Sequence, residues 1–295
     1  MDEREWLAER FEEHRNRLRA IAYRMLGSFS EADDAVQDAW LRVSRADTGS
    51  VENFAGWLTT VVARVCLNAL RARASRREDP LDFHLPEPVI TPESGRLDPE
   101  QEALLADSVG LALLVVLDNL APAERLAFVL HDMFAVPFED IAPMIERSPA
   151  AARQLASRAR RRVQGQAPTP DPDLGRQREV VDAFFAAARK GDFDALVAVL
   201  DPDVVLRSDG GPSRPRLTFV MRGARDVASQ ARVSASLSPF VRPALINGAA
   251  GVVVAPKRRA QFVMAFTVAG GRIVAIDVLA DPERLGDIDP ALLGD

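Results

Sequence analysis

The chain has 295 residues, 47% hydrophobic and 27% charged, with a formal net charge of −6, a length suited to two or three compact units. A lone cysteine, Cys66, excludes an intramolecular disulfide framework and fits a reducing cytosol. No apolar run approaches the roughly 20 residues of a membrane helix, and the opening MDEREWLAERFEEH is too charged for a secretion signal.

Apolar residues at helical spacing predict a first helix over 7–25, with Leu7, Phe11, Leu18, Ile21, Ala22 and Met25 on one face. Gly27 ends it, and Ser30 is placed to cap a second helix with Asp33 in its first turn. Over 31–43, Ala32, Ala35, Val36, Ala39, Trp40 and Val43 form one stripe, while Glu31, Asp33, Asp34, Gln37 and Asp38 fill the other side. A third helix, 55–73, buries Trp57, Leu58, Val61, Val62, Val65 and Leu70 and turns Thr60, Arg64, Asn68 and Arg71 outward. Residues 78–100 hold five prolines and seven acidic residues, the composition of a linker. Helices resume near 99 and run to 163, and the breaker GQAPTPDPDLG (165–175) follows.

The pattern then changes. Residues 177–189 and 193–200 read as helices, followed by strand-like runs at 204–208, 217–221, 244–247, 251–255, 261–268 and 272–279. Their Val, Ile and Phe content and the Gly270-Gly271 turn argue for an antiparallel sheet in a separate α+β domain. The expected units are 1–77 (helical), 78–100 (linker), 101–165 (helical), 166–175 (linker) and 176–295 (α+β).

Charge is distributed unevenly. Residues 53–77 and 148–163 carry five arginines each and no carboxylate, whereas 78–147 carries fifteen acidic residues and three arginines. Basic surfaces on amphipathic helices are the electrostatic footprint of nucleic-acid binding. The run VPFEDIAPMIERSPAAARQLASRARRRV (136–163) has helix-turn-helix layout. Its scaffold helix spans 138–145, with Phe138, Ile141, Ala142 and Ile145 inward and Pro143 marking a kink or early end. Ser148 caps the second helix and Pro149 takes its first position. Small alanines at 150–152 let the helix start approach a groove, where Arg153, Gln154, Ser157 and Arg158 reach base edges or phosphates. Arg161 and Arg162 are candidate phosphate contacts, and a solvated basic face is the plainer alternative.

DDAVQDAWLRV (33–43) followed by FAGWLTTVVARVCLNALRARASRR resembles region two of the extracytoplasmic-function sigma factors of the sigma-70 family. LAPAERLAFVLHDMFAVPFEDIA with SPAAARQLASRARRR resembles region four. Length, linker and C-terminal domain are similar to the subgroup with a fused SnoaL-like domain. Its linker signature appears as His84-Leu85-Pro86-Glu87-Pro88, its DGG as Asp209-Gly210-Gly211, and its C-terminal signature as Asp281-Pro282-Glu283-Arg284-Leu285. His84 stands where the subgroup has tryptophan, Pro212 where it has a third glycine, and Asp281 where it has asparagine.

The resemblance implies two all-α sigma regions and a C-terminal α+β SnoaL-like cone with a curved antiparallel sheet. It implies a cytoplasmic, non-enzymatic promoter-specificity subunit that binds core RNA polymerase through the β′ clamp helices and β flap, and promoter DNA. Asp33, Asp34, Gln37 and Asp38 are the implied polymerase contacts, with a solvated acidic face as the alternative. Asn53, Phe54, Arg64, Asn68 and Arg71 are the −10 candidates, and Ser148, Arg153, Gln154, Ser157, Arg158, Arg161 and Arg162 the −35 candidates. The three signature segments are implied interdomain contacts for regulation in cis, with no separate anti-sigma factor, no metal and no cofactor. An unknown small molecule in the cone remains open.

Two other classes compete. A ligand-responsive helix-turn-helix regulator acting without core polymerase needs neither the acidic helix nor a second basic one. An isomerase- or cyclase-like enzyme with a DNA-binding arm needs a pocket acid–base pair, yet 177–295 has no histidine or cysteine, and Asp203 and Asp209 fall in turn-like contexts.

Overall fold

A computed structural model describes residues 3–46, 51–76, 84–92, 110–167, 169–286 and 288. Expectations for the remainder of the 78–100 linker, for residues 99–109 and for Arg77 lie outside the described residues. The chain divides into two compact units, one comprising 1–80, 98–107 and 113–167, the other 81–97, 108–112 and 168–295.

In the first unit, α1 (Glu3–Leu26), α2 (Phe29–Val43) and α3 (Phe54–Arg76) pack around Phe11, Leu18, Ile21, Val36, Leu58 and Leu67, all nearly inaccessible. Gly27, at φ +78°, ends α1. The cap of α2 is Ser28 rather than Ser30. Its hydroxyl accepts from Glu31 N–H, and because Phe29 already belongs to the helix, the expected cap lies two residues too late.

α4 (Leu111–Asp118), α5 (Pro122–Phe128) with a π-helical continuation over Val129–Met133, α6 (Phe138–Ile141) and α7 (Pro149–Gln166) follow. Arg125 on α5 is 1% exposed, donating to Asp118 Oδ1 at 2.9 Å and to the Arg24 carbonyl at 3.2 Å. The stretches expected as two helical domains thus share one interior. Pro143 does end the scaffold helix early: α6 stops at Ile141 and Ala142–Met144 is a 3-10 turn.

The second unit holds α8 (Leu174–Lys190), α9 (Phe193–Val199), α10 (Ala224–Val233), α11 (Pro282–Gly286) and a seven-stranded sheet. Its strands are β1 (Ile90–Pro92), β2 (Leu200–Asp209), β3 (Phe219–Arg222), β4 (Val241–Ile246), β5 (Ala249–Val254), β6 (Phe262–Ala269) and β7 (Arg272–Leu279), in the order β1-β4-β5-β6-β7-β2-β3. The sheet is mixed, which corrects the expected antiparallel one: β2 runs parallel to β7, pairing Leu206 with Ile276 and Ser208 with Val278. The connection from β2 to β7 passes through β3, α10 and three further strands, so no hairpin forces the two to oppose each other. Val181, Phe184, Leu196, Val252, Phe266 and Ile276 form the core between α8 and the sheet.

β1 comes from within the expected linker. Ile90 pairs with Ile246, Thr91 with Leu245 and Pro92 with Ala244, making the proline-rich segment the edge strand of the sheet, a position where proline is tolerated.

Candidate nucleic-acid interface and linker clasp

α2 presents an acidic face because its alanine and valine stripe faces inward. Asp33, Asp34, Gln37 and Asp38 are all exposed on the opposite side. Asp33 is not a free charge: Arg19 Nε donates to it at 2.6 Å and the Arg19 terminal nitrogen at 3.0 Å. Glu31 is likewise held by Arg73, leaving Asp34 and Asp38 as the carboxylates of the face with no recorded ion pair among the described residues.

Of the −10 candidates, Arg64, Asn68 and Arg71 are exposed along α3. Asn53 has a structural task, its Oδ1 accepting from Gly56 N–H at 2.9 Å to cap α3. Phe54 joins an aromatic cluster with its ring centroid 5.9 Å from Trp6 and 5.8 Å from Trp57. Trp57 is half-buried, less than its place in the apolar stripe suggested. Cys66 is fully buried, and that burial pushes its thiol up to about 12.

On α7, Ala152, Ala156 and Ala159 face inward, so Arg153, Gln154, Arg158, Arg161 and Arg162 turn out. Ser148 caps the helix, its Oγ accepting from Ala151 N–H at 3.3 Å, and Ser157 is half-buried. Arg153 lies over the Phe138 ring at 5.2 Å, a geometry that fixes the guanidinium on the outer face. The arginines are unequal in a way sequence alone missed. Arg162 bonds Glu124 at 3.0 Å, Arg158 lies 3.8 Å from the same carboxylate, and Arg160 bonds Asp132 at 2.6 Å. Arg161 is exposed without such a partner among the described residues.

The three signature segments converge within the second unit on one buried carboxylate. Asp209, at the end of β2, is 1% exposed. Its Oδ2 accepts from Leu85 N–H at 2.8 Å and from Arg284 at 3.0 Å, with His84 Nδ1 at 3.3 Å. Its Oδ1 accepts from Gly211 N–H at 3.0 Å. Arg284 closes the ring by donating to the Leu85 carbonyl at 2.7 Å. Asp281, 3% exposed, caps α11 and so aims Arg284: its Oδ1 accepts from Glu283 N–H at 3.0 Å. Gly211 is required here, at φ +62° and so close to Asp281 that a Cβ would collide with the carboxylate. Leu85, Pro86 and Pro88 are buried, Glu87 half-buried, Pro282 half-buried, Glu283 exposed and Leu285 buried.

Further along the linker, Val89 N–H donates to Asn247 Oδ1 at 3.1 Å and Asn247 N–H to the Val89 carbonyl at 2.8 Å. Neither Asn247 nor the contact of His84 was anticipated. Asn247-Gly248 is legible only as a hairpin turn, with φ +50° and +77°. The 166–175 segment is tied down as well: Asp171 accepts from Gly270 and Gly271 N–H groups, both at 2.9 Å, and these bonds hold its carboxyl below the usual range.

Asp203 is exposed, and neither it nor Asp209 lines the cavity between the helices of the second unit and its sheet. Among the described residues that line this cavity none is ionisable. Among the described residues no group of three His, Cys, Asp or Glu side chains is arranged to hold a metal, and no helix is long and apolar enough to cross a membrane.

An exposed acidic helix, a capped basic helix-turn-helix and a C-terminal sheet unit that grips its own linker define a sigma factor of the extracytoplasmic-function type, and the chain belongs to that family. Residues 10–76 match the family model for Sigma-70 region 2 and residues 110–163 that for Sigma-70, region 4. The chain is 39% identical over 288 residues to the ECF RNA polymerase sigma factor SigJ of Mycobacterium tuberculosis, covering 93% of this chain and 91% of that protein. It is 34% identical over 290 residues to the probable ECF RNA polymerase sigma factor SigI of the same species, covering 95% of each. The crystal structure of M. tuberculosis SigJ superposes with a TM-score of 0.76 at 36% identity, covering 94% of this chain and 97% of the other. The protein is accordingly an RNA polymerase sigma factor, with helical sigma regions and a C-terminal α+β sheet domain.

Proposed function

We propose that this sigma factor, a cytoplasmic protein without catalytic activity of its own, meets core polymerase through the acidic face of α2. The β′ clamp helices supply the opposing cations and the β flap meets the region-four helices. The −10 strand is captured by the segment around Asn53 and Phe54 and by Arg64, Asn68 and Arg71. Flipping a base costs a few kcal/mol, which pocket contacts and stacking return. The −35 element is read by α7 behind its Ser148 cap. Regulation is built in cis, without a separate anti-sigma protein.

The observation that carries cis regulation is the Asp209 clasp. The tether between the two sigma regions runs from Arg76 to Gly110, and its segment 84–92 is bound to the sheet unit. A free tether of this length spans on the order of 110 Å when extended. Once the two sigma regions part from their shared interior on core polymerase, a clasp that holds 84–92 on the sheet unit restricts how far apart, and in which register, they can settle.

Polymerase docking is tested by reversing the two unpaired carboxylates. Asp34→Arg with Asp38→Arg places like charge across the interface, a penalty of several kcal/mol, and should abolish co-purification with core polymerase while leaving the circular dichroism unchanged. Undiminished binding would remove α2 from the interface.

A further inference from the structure

The second unit holds a partly open cavity of about 140 Å³ between its helices and the sheet. Phe184 and Phe185 of α8, Phe219 of β3, Phe262 and Met264 of β6 and Val278 of β7 form much of its wall. The polar residues lining it are Ser208, Gln230, Ser234 and Ser238. Ser208, 4% exposed, is the one of them that lies on β2. A hydroxyl in a cavity wall can donate to or accept from an occupant. Ligand sites are typically walled by apolar and aromatic side chains with a few polar groups that fix orientation, the composition found here.

The cavity and the clasp share the end of β2. Leu206 and Ser208 line the cavity, and strand alternation sends Arg207 and Asp209 to the other face, where Arg207 pairs with Asp277 and Asp209 holds Leu85 and Arg284. The adjoining loop makes a second link. Leu217 lines the cavity, and a Cβ on Gly210 would come within 2.9 Å of the Leu217 Cβ. Gly210 N–H also donates to Thr218 Oγ1 at 3.1 Å. An occupant that bonds Ser208 or displaces Leu217 therefore acts on the residue next to Asp209.

We propose that the cavity binds a small, uncharged, mainly apolar molecule bearing one or two hydrogen-bonding groups, and that its occupancy sets how firmly Asp209 holds the linker. The second half of this rests on the regulatory reading above, whereas the first does not.

Indole is a suitable probe, being flat, uncharged and equipped with one donor, and indole-3-carboxylate is its charged counterpart. The full chain should bind indole saturably, with nuclear Overhauser contacts to the methyl of Met264. Indole-3-carboxylate should bind at least about tenfold more weakly, since its charge has no partner in the wall. Ser208→Val should weaken indole by about fivefold, and Ala231→Phe, which fills the space, should abolish binding. Bound indole should change the hydrogen-exchange rates of the Leu85 and Val89 amides. Absence of saturable binding, or binding without contact to the Met264 methyl, would overturn the site even if Ala231→Phe did not fold. Binding at Met264 with unchanged Leu85 and Val89 exchange would overturn the coupling. Transcription by clasp variants without ligand tests the regulatory reading separately, so the two can fail independently.

Discussion

Asp209 shows how much one side chain can organise. Its carboxylate is withdrawn from water and faces the Leu85 and Gly211 amides, the Arg284 guanidinium and the His84 ring. A buried carboxylate is tolerated when its lone pairs are filled and its charge is paired. Removing it leaves Arg284 and Leu85 N–H without that acceptor, so Asp209→Ala should cost about 3–5 kcal/mol. The expected signature is lost exchange protection at the Leu85 amide together with a lower melting temperature. A variant with wild-type protection at Leu85 would show that the clasp is held elsewhere. Cys66 offers a contrasting case, buried without any polar task. Its thiol, pushed up to about 12 by desolvation, stays protonated at neutral pH. Ellman's reagent at pH 8 should find no reactive thiol in the native protein and one after unfolding. Because the folded value lies above the ordinary one, the contribution of Cys66 to stability is lost as pH rises above about 9.

At the scale of elements, the arginines of α7 fall into two groups. Arg153, Gln154 and Arg161 face outward without a strong ion pair, whereas Arg160 and Arg162 are held by Asp132 and Glu124. Arg153→Ala or Gln154→Ala should cost roughly 1–3 kcal/mol of binding and relax preference at particular −35 base pairs. Arg161→Ala should weaken all sequences alike and lower the salt slope by about one. Arg162→Ala should instead be read chiefly in stability, since it strips a partner from the buried Glu124 carboxylate. Equal effects of all four across a panel of −35 variants would contradict this division.

These groupings also mark how far the sequence could be read. Helix positions and inward faces followed from apolar spacing, and Pro143 announced the early end of α6. The Glu124 and Asp132 pairings did not show, because each joins an arginine to a carboxylate 28 or more positions away with no periodic signal. β1 was hidden for a different reason: three residues in a proline-rich run carry no alternation to detect, and they become a strand only because β4 offers an open edge. The convergence of Leu85, Asp209 and Arg284 was suggested by resemblance alone. The buried carboxylate that joins them appears only in the fold.

For the whole molecule, the central claim is that a linker between two DNA-reading regions is held by a third domain. Holding 84–92 on the sheet shortens the free tether, so the clasp should narrow the range of separations between −10 and −35 elements that the protein accepts. Arg284→Ala opens the ring at its guanidinium, and replacing Asp281, Pro282 and Glu283 together by alanine removes the cap that aims it. Neither change touches α2, α3 or α7. A shift of a few kcal/mol between held and released states is enough to move such an equilibrium almost completely. The most direct measurement is in vitro transcription with core polymerase on promoters that differ only in spacer length, comparing the intact chain with these two variants at equal folded concentration. We expect a narrow spacer optimum for the intact chain and a broadened one, altered the same way, for both variants. Identical spacer profiles for all three would contradict regulation through the clasp.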